Sequence, residues 1–305
     1  MSDRWRLLLS FAALYVIWGS TYLAIAFAIE TIPPFLMAGF RFVSAGLVMY
    51  LVMRMKGAPR PTRAQWIGAT IVGALLLTGG NGGVTWAEQR VPSSLAALII
   101  ALMPLWMVVL AWAMEGTRPT PRTGLGLLLG LAGVALLIAL LAGTRPHLLG
   151  GVVRRGAGFV WALGSLYARR VSLPKMLLMA VAMENLAGGV LLLAVGTVSG
   201  EWARLDLGAL SLTSVGALIY LIVFGSIIAF SAYAWVLQNT DPAKASTYAY
   251  VNPAVALLLG WLLGNEPMTA RILVAATIII GAVVLITTRS PARPPVRARR
   301  RLKAT

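Results

Sequence analysis

The chain is 305 residues long, 59% hydrophobic and 11% charged, whereas soluble domains carry roughly 25% charged residues. That balance excludes an ordinary soluble domain and indicates a polytopic membrane protein. A net charge of +17 would suggest nucleic acid in a soluble protein, so its placement along the chain decides the matter, and the absence of cysteine removes disulfides, thiolate metal sites and thiol chemistry.

Ten apolar runs are each close to the ~20 residues that a helix needs to cross the hydrocarbon. The first, 7–29, follows Arg4 and Arg6 and contains an Ala26-x-Ala28, which imitates a signal peptide. It is kept as a mature helix because it is long for a signal and its Trp18-Gly19-Ser20 stretch has a counterpart further on. Trp18 and Tyr22 stand four apart and share one face. The second run, 34–54, encloses Arg41. The third, 66–87, carries Gly79, Gly80, Gly82 and Gly83 around Asn81, a flexible or closely packed stretch, and has Glu88 at its edge. The fourth, 92–114, contains Pro104, which leaves the Ile100 carbonyl without its helical donor. In the fifth, 122–142, Gly126 and Gly130 form an intramolecular packing notch.

The sixth run, 151–170, places Trp161 and Ser165 on one face and has Arg154 and Arg155 inside its start, so this helix begins either there, with both arginines snorkelling, or nearer Gly156. The seventh, 176–198, holds Glu184, the leading candidate for a protonatable coupling group, with Glu88 second; a structural pair with an arginine is the competing role for either. Ser226, Phe230 and Tyr233 stripe the eighth, 210–236. Tyr248 and Asn252 repeat the four-residue spacing in the ninth, 242–264, where Pro253 frees the Ala249 carbonyl as a hinge, a ligand for an ammonium group, or a static kink. The tenth, 271–289, precedes a basic tail at 291–305.

Two halves recur. Gly19, Ser20 and Tyr22 return as Gly164, Ser165 and Tyr167; Met37, Ala38, Ala45 and Gly46 return as Met179, Ala180, Ala187 and Gly188. Pro92, Pro104 and Glu115 have Pro242, Pro253 and Glu266 as counterparts in the same order. The preserved order indicates duplication, with repeats at 1–145 and 146–290. Five crossings per repeat force opposite orientations, so the expected fold is all-α, ten transmembrane helices in two inverted five-helix repeats, an arrangement common in secondary transporters. Alternate connections then hold 19 and 6 of the Lys and Arg residues, with Arg41 left inside a span. This bias predicts both termini on the cytoplasmic side and a tail drawn to anionic membrane lipid, with no nucleic-acid partner.

Trp18-Gly19-Ser20-Thr21-Tyr22, Arg41-Phe42, Gly79-Gly80-Asn81-Gly82 and Tyr248-Ala249-Tyr250-Val251-Asn252-Pro253, with Glu266 beyond, give the chain a resemblance over nearly all of 5–290. It resembles the EamA-type drug/metabolite transporters, specifically the bacterial inner-membrane metabolite and amino-acid exporters. The resemblance implies export of aromatic and other neutral amino acids; drug-like or other metabolites, or a channel-like facilitator, are the alternative.

A site at the bilayer midplane must be lined by polar or aromatic groups to replace the water stripped from a polar solute. The candidates for substrate contact are Trp18, Tyr22, Asn81, Trp161, Ser165, Ser226, Tyr248 and Asn252, with Arg41 as a charge that attracts a carboxylate or meets a phosphate near a helix end. Trp5, Trp66 and Trp202 read as interfacial belts. For Trp18, Trp161, Tyr248 and Asn252, which sit deeper, cavity wall and packing are both open. His147 is the sole histidine and no GxxxxGK[ST] loop is present, so neither an enzyme, a cofactor, a metal nor direct ATP drive is expected. The expected unit is a monomer.

Overall fold

The computed structural model describes residues 3–89, 97, 103–116, 118–141, 156–264 and 270–287. Pro92, the Ile100 carbonyl, the repeat boundary at 145/146, His147, Arg154, Arg155, Glu266 and the tail at 291–305 lie outside the described residues.

Among the described residues the fold is all helical. The first rod is α1 (Asp3–Ala13), a π-helical segment (Leu14–Trp18) and α2 (Gly19–Ala28). After α3 (Pro34–Met55), a second interrupted rod runs through α4 (Arg63–Gly73), a π segment (Ala74–Asn81) and α5 (Gly82–Glu88). Then follow α6 (Met103–Glu115), α7 (Pro121–Leu141), α8 (Ala157–Ala168) and α9 (Leu177–Val198). The third interrupted rod is α10 (Leu212–Tyr220), a π segment (Leu221–Ala229) and α11 (Phe230–Asn239), succeeded by α12 (Pro242–Ala245), α13 (Tyr248–Gly264) and α14 (Ala270–Thr287). Six helical stretches are long and apolar enough to cross a membrane, and four shorter apolar ones lie in the fourth, fifth, sixth and tenth expected runs. Large apolar side chains such as Leu47, Val48 and Leu51 of α3 and Leu262 and Leu263 of α13 face outward, as a bilayer-embedded bundle requires and a soluble surface does not tolerate in bulk.

Local chemistry sets the helix ends. Pro34 stands at the first position of α3, where no backbone donor is missed. At its other end Gly57, at φ 81°, closes a left-handed cap in which the Gly57 and Ala58 amides bond to the Arg54 and Met53 carbonyls at 3.1 and 3.0 Å. Thr62 and Gln65 cap the start of α4 reciprocally. Residues 242–264, expected as one helix, break between α12 and α13: Ser246 and Thr247 turn their hydroxyls back to the Ala243 and Lys244 carbonyls at 2.9 and 2.8 Å. Hydroxyls that compete for backbone carbonyls are a known way to interrupt a helix.

The packing repeats itself. α3 lies along α9, and α7 along α14. α13 packs on α2 and the first π segment as α6 packs on α8; α3 meets the third π segment as α9 meets the second. Numbering the ten apolar helical stretches in order, each pairing maps onto another when every stretch is exchanged for the one five places on. The α3–α9 seam is closed by small residues: a Cβ on Gly46 would lie 2.6 Å from the Leu186 amide nitrogen, and one on Gly189 2.6 Å from that of Val43. In α7, Gly126 and Gly130 receive Ile286 of α14 and Tyr250 of α13, so this notch is filled from within the chain.

Candidate functional site

All three π segments end at, or run through, the centre of the bundle. Trp18 closes the first, Asn81 the second, and the third contains Gly225 and Ser226. A π turn inserts a residue and re-aims the side chains beyond it, which is why such turns collect at functional sites.

Here they bring an aromatic cluster together from both halves. Trp18 meets Trp161 edge-on at 5.7 Å between centroids, Tyr248 at 4.8 Å and Tyr233 at 5.0 Å, and Tyr233 meets Tyr248 at 5.5 Å. Hydrogen bonds fix the rings. The Trp18 Nε1 donates to the Gly225 carbonyl at 3.1 Å, and the Trp161 Nε1 donates to the Tyr233 hydroxyl at 3.3 Å. Ser165 sits 2.5 Å from that hydroxyl and donates to the Trp161 carbonyl at 2.8 Å. Only a residue without a Cβ fits under Trp161, since one on Gly80 would lie 2.5 Å from its Cε3.

Beside this wall is a cavity of about 40 Å³ lined by Trp18, Tyr22, Arg41, Asn81, Tyr248 and Asn252, with Thr21, Phe42, Trp161 and Phe230 among its further walls. That is room for about three waters, so the cavity is small. Its lining is rich in unmet hydrogen-bonding capacity. Arg41, 2% exposed, donates from Nε to Ser226 Oγ at 2.8 Å, yet its Nη1 has no partner. The Asn252 amide approaches only Tyr22 and the Tyr248 hydroxyl only Tyr233 and Trp161, none of them in good hydrogen-bond geometry. Glu88, outside the lining but one turn beyond Val84 on the same face of α5, is buried with both carboxylate oxygens unpartnered and forms no ion pair with Arg41. Each such atom costs about 1–3 kcal/mol if left unmet, a cost that water or a polar solute in the cavity would relieve.

Of the eight contact residues expected from the sequence, Trp18, Tyr22, Asn81, Trp161, Tyr248 and Asn252 line the cavity, as does Arg41. Ser165 and Ser226 stand behind the wall, one holding Tyr233 and Trp161, the other Arg41. Glu184 is buried on α9 but lies outside the cavity lining, with Tyr233 as an electrostatic neighbour. Pro253 is inside α13, whereas Pro104 occupies the first turn of α6 as described. Sequence reasoning did not single out Tyr233 as the hub of the aromatic cluster, nor Gly225. The i, i+3 spacing of Phe230 and Tyr233 was the available signal for the first; nothing marked the second.

Comparison with known proteins agrees with this architecture. The EamA-like transporter family matches twice, over residues 5–139 and 151–288. The chain is 40% identical over 290 residues to the Escherichia coli (strain K12) protein named "Uncharacterized inner membrane transporter YedA", covering 93% of this chain and 92% of that one. It is 25% identical over 292 residues to the "Uncharacterized transporter YvbV" of Bacillus subtilis (strain 168), covering 95% and 93%. A solved crystal structure shares the fold with a TM-score of 0.72 at 22% identity, over 92% of this chain and 97% of that one. With both halves matched and a relative at 40% identity over nearly its whole length, the chain belongs to the EamA-like transporter family.

Proposed function

We propose that this protein is a secondary carrier of the bacterial inner membrane that exports small neutral or amphipathic metabolites, aromatic and other neutral amino acids foremost, by alternating access. Its ten crossings form two inverted repeats, 1–145 and 146–290, with both termini and the basic tail on the cytoplasmic side. The observation that carries the reading is the small central cavity, walled by aromatic rings from both halves and edged with buried polar atoms such as the Arg41 Nη1 that lack partners. An apolar wall with a few convergent polar groups is the ordinary form of a small-molecule site. A tight cavity that must widen to admit a solute favours a carrier over an open pore.

Motion has places to occur. The α12–α13 break, Pro253 and the three π segments leave backbone bonds weakened beside the cavity, which membrane helices tolerate where protein or water satisfies them. Rocking of one repeat against the other would open the site first to one side and then to the other. The substrate occupies it as a small molecule, with no cofactor taking part, and the protein acts as a monomer.

The test is counterflow in proteoliposomes with labelled phenylalanine, methionine and threonine against empty liposomes. Saturable exchange is expected. Flux that rises linearly with concentration and shows no counterflow would make the protein a channel-like facilitator, and absence of amino-acid flux with exchange of drug-like solutes would reassign the substrate.

A further inference from the structure

We infer that Arg41 and Glu88 are the two charged poles of the binding site, Arg41 receiving the carboxylate of a zwitterionic substrate and Glu88 its ammonium. The inference rests on the carrier reading above and adds the recognition chemistry.

Both groups are buried, one of each sign, on helices α3 and α5 that pack together. Arg41 is held on one edge only. Ser226 accepts from its Nε at 2.8 Å, and the absence of a side chain at Gly225 makes room for the guanidinium, since a Cβ there would lie 2.7 Å from Nη2. The Phe42 ring lies 4.6 Å from Cζ. The remaining donor, Nη1, has no partner. A guanidinium fixed by one edge with a free donor beside a cavity is the arrangement that takes a carboxylate.

Glu88 supplies the complement. Both of its oxygens are buried and unpartnered, it stands on α5 one turn beyond Val84, which lines the cavity, and no ion pair forms between it and Arg41. Two buried opposite charges that form no ion pair with each other, one of them with a free donor and the other with both oxygens free, are a place that a molecule carrying both charges would bridge. Asn252, whose amide approaches only Tyr22, can accept from an ammonium or donate to a carboxylate. The rest of the substrate would lie against Trp18, Tyr248 and Phe230. A site of this kind rejects analogues lacking either charge, because each leaves one buried pole unpaired.

The test uses the full-length protein in liposomes. Counterflow of labelled phenylalanine is competed with unlabelled phenylalanine, 3-phenylpropionate, which lacks the ammonium, and phenethylamine, which lacks the carboxylate. Neither analogue should compete comparably with phenylalanine in the wild type. Glu88→Gln should raise the KM for phenylalanine about 10- to 100-fold and narrow the discrimination against 3-phenylpropionate, while Arg41→Gln should do the same for phenethylamine. Glu88→Asp, which keeps the charge, should recover part of the loss. Melting of each purified variant establishes that it is folded, and the competition pattern is a readout that a purely structural pair would not move. A folded Glu88→Gln protein with wild-type KM, or analogues that compete as well as phenylalanine, would overturn the inference and leave the carrier reading standing. Absence of exchange for every zwitterion in the wild type would overturn the inference together with the amino-acid reading, and the carrier itself only if drug-like solutes fail to exchange as well.

Discussion

Trp18 and Trp161, one from each half of the chain, meet edge to face with ring centroids 5.7 Å apart, at the point where a π segment ends and a glycine clears the way. This contact places a joint between the halves in the wall of the cavity. Trp161→Ala should therefore lower transport at least about tenfold while membrane insertion persists, and it should destabilise by about 3–5 kcal/mol, the usual range for truncating a buried tryptophan. Trp161→Phe keeps one aromatic ring but loses the rest of the indole with the N–H donated to Tyr233, so its cost should be smaller, about 2 kcal/mol. Initial rates and detergent melts measured together separate the two effects. Wild-type flux in a folded Trp161→Ala protein would remove Trp161 from the site.

Glu201 ties the loop after α9 to the start of α3. Its carboxylate accepts from the Leu36 amide at 2.9 Å and pairs with Arg204 at 3.4 Å, while remaining 1% exposed. Burial pushes this carboxyl above its ordinary 4.5, against the lowering effect of the Leu36 and Phe35 amides and Arg204. The folded state thus holds the proton more tightly than the unfolded chain. Its contribution to stability is fully present below the unfolded pKa and is lost as pH rises through the folded one. Glu201→Gln should match or exceed wild-type stability at pH 8, and the difference should shrink as pH falls toward 4.5. Glu201→Ala, which loses the bonds to the helix start, should be lower by about 1 kcal/mol. Thermal melts across pH 4.5–8 check both; a Glu201→Gln protein that melts well below wild type at pH 8 contradicts the sign.

Gly46 lets α3 approach the backbone of α9, with its would-be Cβ 2.6 Å from the Leu186 amide nitrogen. Backbone cannot swing aside as a flexible side chain can. Gly46→Ala should cost about 1–3 kcal/mol by overpacking, read as a fall in melting temperature, whereas Gly124→Ala in α7, where the added Cβ meets nothing within 4 Å, should cost little or stabilise.

Orientation can be read directly because the chain has no cysteine. Arg60 lies in the loop after α3, and Leu207 in the loop after α9, 74% exposed. In spheroplasts a membrane-impermeant maleimide should label Leu207→Cys and spare Arg60→Cys until the membrane is broken. The reverse pattern would invert the proposed topology.

Much of this was legible in the sequence for a physical reason. Membrane helices announce themselves by composition, duplication by recurring Gly-Ser-x-Tyr and Met-Ala stretches, and most of the residues that line the central cavity by aromatic and amide side chains at four-residue spacing. The π segments carried no such mark, because the extra residue in each turn is selected by tertiary packing around Trp18, Asn81 and Ser226 and not by side-chain type. The break before Tyr248 was hidden for a related reason: Ser246 and Thr247 are ordinary in a membrane helix until their hydroxyls turn back on the chain. Among the carboxylates, hydropathy ranked Glu184 ahead of Glu88, since depth along a span is visible in sequence and the direction a side chain faces is not. Neither carboxylate is part of the cavity lining, but Glu88 stands one turn beyond Val84, which is, on a helix packed against that of Arg41, whereas Glu184 lies on α9.

The central claim, a carrier working through one cavity between two halves, is tested most directly by trans-stimulation. Proteoliposomes loaded with labelled phenylalanine would be diluted into buffer with and without unlabelled phenylalanine, for the wild type and for Tyr248→Ala. Efflux that is accelerated by external substrate, saturates, and collapses in the folded Tyr248→Ala protein is the predicted result. Efflux that ignores external substrate, or persists unchanged without the Tyr248 ring, would contradict it.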